Sequence, residues 1–120
     1  MAGSNKHTSA DCTQRLSSIG DALYVIGGKW KLRLIVALRD GDKRFNEIQR
    51  TVEGISARVL SGELKDLELN GFVSRVIHNQ KPVVIEYQLT AYADTLGNVL
   101  QSLSEWGTMH RDKLRNESKQ

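Results

Sequence analysis

The chain has 120 residues, 39% of them hydrophobic and 26% charged, with a net charge of +3 and a single cysteine. That length suits one domain with a core of its own, and the composition excludes wholesale disorder and an intrachain disulfide. The longest clean apolar run is "LIVAL" at 34–38, too short for a bilayer, and "MAGSNKHTSAD" lacks the apolar stretch of a secretory signal, so a cytoplasmic protein is expected.

Residues 1–11 read as a flexible polar tail and 12–116 as the single domain. From about Asp11 to Ile26, Leu16, Ile19, Leu23 and Ile26 are spaced three, four and three apart, a narrow helical seam that suits a partner subunit as well as a core. Gly27 and Gly28 end this helix. A second helix is predicted over about Lys29 to Arg39, burying Trp30, Leu34, Ile35 and Leu38 and leaving Lys31 and Arg39 solvated, with Gly41 as its stop. Lys43 and Arg44 form a basic corner, and Phe45, Ile48 and Val52 mark a short third helix ending near Glu53 and Gly54.

The stretch "ISARVLSGELKDLELNG" follows, with Ser56 as N-cap, Leu60, Leu64 and Leu67 as the inner stripe and Gly71 as the stop. "FVSRVIH" at 72–78 and "VVIEYQLT" at 83–90 are β-rich and joined by the polar tip "NQKP", which predicts a hairpin. From Ala91 a long final helix should carry Leu96, Val99, Leu100, Leu103, Trp106 and His110 on one face, with residues 117–120 frayed. The expected fold is therefore mostly α with a small β-hairpin (α+β), without internal repeats or linkers.

Helices joined by tight turns and followed by a β-ribbon have the order of a winged helix-turn-helix, whose second motif helix enters the major groove. On the helix after Ser56, Arg58, Gly62 and Lys65 face away from the leucines, with Ser61 between them. Arginine can fork onto guanine, and serine or lysine can bond phosphates or bases. Ser56 and Ala57 open the helix, where unpaired N–H groups favour a phosphate. A solvated amphipathic face would look similar, and Glu63, Asp66 and Glu68 argue for that reading toward the helix end. Arg44 at the basic corner and Arg75, His78 and Lys81 on the ribbon are further candidate DNA contacts. Each of Arg75, His78 and Lys81 is equally readable as an edge-strand charge that discourages sheet aggregation, Arg75 more readily than the other two.

Together these marks resemble the HxlR-type winged helix-turn-helix regulators over residues 23–107. The resemblance rests on "IGGKW" at 26–30, "RFNEI" at 44–48, "GIS" at 54–56, "LKDLELNGFVSR" at 64–75, "EYQLT" at 86–90 and "EWG" at 105–107. It implies a homodimer, held mainly by the first and last helices, that reads an inverted repeat in double-stranded DNA. The predicted interface residues are Leu16, Ile19, Leu23, Ile26, Leu96, Val99, Leu100, Leu103 and Trp106. The chain departs from the family pattern in the wing, where Pro82 is followed by Val83, Val84 and Ile85, and at Ala93 and Gly62. Relatives often carry a cysteine near the start of the first helix, which makes Cys12 a candidate redox switch and an electrophile or small-molecule inducer a candidate partner.

No enzymatic constellation is present. His7, His78 and His110 are scattered without metal-ligand spacing, and no glycine-rich loop follows a strand, so neither metal nor cofactor is expected. The reading is a DNA-binding transcriptional regulator, expected to repress. The alternative is a dimeric module for a small molecule or protein, which would keep the apolar seams but not need Arg58 or Lys65.

Overall fold

The computed structural model describes residues 9–119, so His7 and most of the predicted tail lie outside the described residues. Helix α1 spans Ser9–Ile26 and takes in residues 9–11, which the sequence had placed in the tail. Gly27 continues the turn, its N–H donating to the Leu23 carbonyl at 2.8 Å, and Gly28 at φ +92° breaks it in the left-handed region. Helix α2 (Lys31–Arg39) follows with Trp30 as its N-cap. After it come strand β1 (Lys43–Arg44), helix α3 (Phe45–Thr51) and helix α4 (Ala57–Leu69). The Ser56 hydroxyl accepts from the Val59 N–H at 3.2 Å, the predicted cap, and Gly71 follows the helix at φ +83°.

Strands β2 (Val73–His78) and β3 (Val84–Leu89) form the predicted hairpin, paired from Val73↔Leu89 to His78↔Val84. The other edge of β3 is taken by β1, through Lys43↔Tyr87 and Arg44↔Glu86, so the sheet has three strands in the order β1-β3-β2, not two. A two-residue strand shows no alternation in sequence; it exists because the free edge of β3 offers unpaired backbone groups. Thr90 fastens the wing to the end of α4, its hydroxyl donating to the Gly71 carbonyl at 2.6 Å and its N–H to that of Phe72 at 3.0 Å.

The last segment differs from the prediction at both ends. Ala91–Leu96 winds as a 3₁₀ helix, and α5 runs from Gly97 to Ser118, so residues 117 and 118 are helical. The tighter winding turns Ala93 and Leu96 inward, where they are 1% and 8% exposed. Leu96 therefore belongs to the core of this chain and not to the predicted interface face. Ile26 is also partly buried against that core, because the glycine joint returns the chain to the body there.

The core is built from Leu34 and Ile35 of α2, Ile48 of α3, and Leu60, Leu64 and Leu67 of α4, closed by Phe72, Val73 and Leu96. Neither α1 nor α5 contains a buried residue. Among the described residues, no helix is long and apolar enough to cross a membrane.

Candidate nucleic-acid interface

Helix α4 sorts its residues as the wheel predicts. Leu60, Leu64 and Leu67 are buried, while Ser56, Ala57, Arg58, Ser61, Gly62 and Lys65 are all exposed. A Cβ built on Gly62 would meet nothing within 4 Å, so packing does not demand glycine there. The exposed face thus has a bare patch of backbone between Arg58 and Lys65. Neither of these two has an ion-pair partner among the described residues.

The carboxylates of the same helix are differently placed. Lys31 Nζ lies 2.7 Å from Glu63 Oε1 and 3.5 Å from Asp66 Oδ2, and Arg75 Nε donates to Glu68 Oε1 at 3.1 Å. Lys31, predicted to be solvated, has a side chain only 15% exposed. The hydrogen bond it donates to Glu63 raises its pKa above the ordinary 10.5, helped by the charges of Glu63 and Asp66 and opposed by burial. The sequence did contain a sign of this contact. A lysine at the first position of a helix is at the positive end of the macrodipole and needs an acidic partner from elsewhere.

On the wing, His78 Nε2 and Glu86 Oε1 are 2.9 Å apart across the strands, and Lys81 is exposed at the hairpin tip. Arg75, through its bond to Glu68, braces β2 against α4. Opposite it in register stands Tyr87, whose phenol is pushed above its ordinary 10.0, first by burial and then by the charge of Glu68. Arg44 is exposed at the N-cap of α3, where its N–H donates to Glu47 Oε1 at 2.8 Å; with Arg50, Asn46 and Glu86 it lines a polar cleft between α3 and the sheet.

The predicted interface residues lie away from this surface. Leu16, Ile19 and Leu23 on α1 are 67%, 56% and 62% exposed, and Val99, Leu103 and Trp106 on α5 are exposed as well. Leu100 is partly buried against the core. A mainly apolar groove runs between α2, the end of α3 and α5, lined by Leu32, Val36, Val52, Leu100 and Leu103. Cys12 is exposed in the first part of α1. Among the described residues no group of three or more histidine, cysteine or acidic side chains is placed to hold a metal ion.

A core of three short helices, a capped amphipathic helix with a cationic outer face and a β-wing behind it define a winged helix-turn-helix transcriptional regulator. The family model for HxlR-like helix-turn-helix proteins matches residues 25–115, and the chain belongs to that family. It is 44% identical over 92 residues to the HTH-type transcriptional regulator YybR of Bacillus subtilis (strain 168), covering 77% of this chain and 74% of that one. The solved structure of the redox regulator HypR in its reduced form superposes with a TM-score of 0.76 at 40% identity, over 82% of this chain and 98% of that one. The crystal structure of the regulator ytcD gives 0.75 at 36% identity, over 78% and 96%.

Proposed function

We propose that this regulator is a homodimer that binds an inverted repeat in double-stranded DNA and represses by occupying it. The observation that carries the reading is the outer face of α4, where Arg58, Ser61, Gly62 and Lys65 are exposed together and the two cations have no ion-pair partner among the described residues. In the major groove Arg58 would reach a base edge and Lys65 a phosphate, while the opening turn at Ser56 and Ala57 would face the backbone. Lys81 is the wing's cation for the adjacent backbone or minor groove, and Arg44 a contact beside α3. Occupancy alone blocks polymerase, whereas activation needs a further productive contact.

A second copy is the natural cover for the apolar faces of α1 and α5. Pairing by a two-fold axis would present two α4 helices to half-sites about 34 Å apart. Such a protein works where the DNA is, in the cytoplasm. Cys12 on α1 gives an electrophile or oxidant a place to act on that pairing, a reading supported by the likeness to HypR; diamide treatment should lower DNA affinity in the wild type and leave Cys12→Ser unchanged.

The test is to pass fragmented genomic DNA over the purified protein near physiological salt and sequence what is retained. Enrichment of a short inverted repeat, with affinity falling steeply as salt rises, is the expected result. Retained DNA that matches the input would sink the proposal in favour of a ligand- or protein-binding module.

A further inference from the structure

Helix α4 has the wrong formal charge for its task. Arg58 and Lys65 stand against Glu63, Asp66 and Glu68, so the helix by itself is net acidic and would be repelled by phosphates. Two of those carboxylates, Glu63 and Asp66, are three residues apart and share the flank of α4 that faces α2. Lys31 answers both with one ammonium group, at 2.7 Å and 3.5 Å. It does so from the first position of α2, where the helix dipole opposes a cation, and with its side chain largely withdrawn from water. A lysine held under two such penalties is fixed by its carboxylate partners. Arg75 answers Glu68 in the same way from β2.

We propose that Lys31 is a positioning residue for DNA recognition: its charge offsets one of the two carried by Glu63 and Asp66 and ties α4 to α2, so that, with Arg75 on Glu68, the surface where Arg58, Ser61 and Lys65 meet DNA is net cationic. The inference rests on α4 being the helix that enters the groove. It separates two roles that an ion pair can have. A structural tie alone would matter for folding, whereas a charge-cancelling residue also sets how strongly the surface repels phosphate, and that repulsion is screened over about 10 Å at 0.1 M salt.

The experiment compares affinity for the selected operator across a salt series. Lys31→Met keeps the aliphatic stem and removes the charge; near 0.1 M salt it should bind roughly tenfold more weakly, and the deficit should shrink as salt rises. Adding Glu63→Gln and Asp66→Asn to that variant should bring affinity back to within about twofold of the wild type, because the repelling charges are gone. Glu63→Gln with Asp66→Asn and Lys31 intact should bind at least as tightly as the wild type, and this variant decides the matter if Lys31→Met does not fold. Thermal melts and sedimentation establish that each protein is a folded dimer. Wild-type affinity in Lys31→Met overturns the proposal, as does a salt-independent deficit that the neutral triple variant fails to recover, or tenfold weaker binding by the double variant. Arg58→Ala is measured alongside: operator binding that it weakens upholds the reading of α4 whatever Lys31 does. A wild type without sequence preference overturns that reading and the role of Lys31 with it.

Discussion

Helix α4 and helix α1 carry the same kind of apolar stripe and meet opposite fates. Leu60, Leu64 and Leu67 are fully buried under α2, α3 and the sheet, whereas Leu16, Ile19 and Leu23 are more than half exposed. The residue types and the three- and four-residue spacing are alike. The difference is that α4 lies between elements of its own chain, while α1 stands beyond the glycine joint at Gly28 and buries no residue in this chain. A helical stripe therefore states that a surface must be covered and leaves open which chain covers it.

Truncating the two stripes should break the symmetry between them most visibly. Leu64→Ala opens a cavity in a closed core and should cost about 2–5 kcal/mol in urea unfolding. Leu16→Ala on α1 should cost an isolated chain less than about 0.5 kcal/mol. Equal losses at dilution would mean that α1 is packed within its own chain. Next in size is the effect of charging the open stripe. Leu23→Lys should weaken self-association by about 2–3 kcal/mol in sedimentation equilibrium and leave the circular dichroism of the α2–β3 body intact; an undisturbed dimer would remove α1 from the interface.

The outer face of α4 sharpens the contrast, since it too is exposed but carries cations in place of an apolar stripe. Arg58→Ala should lower operator affinity by about 1–3 kcal/mol with no change in melting or association, and an unchanged Kd would exclude this face as the one that reads DNA. The smallest effect is expected in alkali. Lys31 and Tyr87 both hold their protons more tightly when folded than their ordinary values of 10.5 and 10.0 allow. Their contributions are thus complete below about pH 10 and are lost as pH rises through the raised values. The urea midpoint should stay level from neutral pH to about pH 9 and fall above 10, less so in Lys31→Met; a midpoint that rises in that range would contradict the sign.

Helix ends and inner stripes were legible because their causes lie within a turn of the residue concerned. Ser56 caps α4 through Val59, three residues on, and Gly28 and Gly71 end α1 and α4 by taking a backbone conformation that other residues resist. The exposed face of Arg58, Gly62 and Lys65 followed from the same local geometry. The carboxylates of α4 did not: read along the sequence they stand as unanswered negative charge, and only the fold shows Lys31 and Arg75 set against them.

By itself the sequence determined the order of helices and strands, the inner stripe and outer face of α4, and a chain with apolar seams to spare. Periodicity, capping and glycine stops act over a few residues, and so each can be read where it stands. Only the tertiary structure decided that Lys43 and Arg44 form a third strand, that Leu96 turns into the core, and that Lys31 is withdrawn from water onto Glu63, 32 residues away. Each of these depends on a free strand edge, a gap in the core or a carboxylate that distant parts of the chain bring into place, and no local propensity encodes that position.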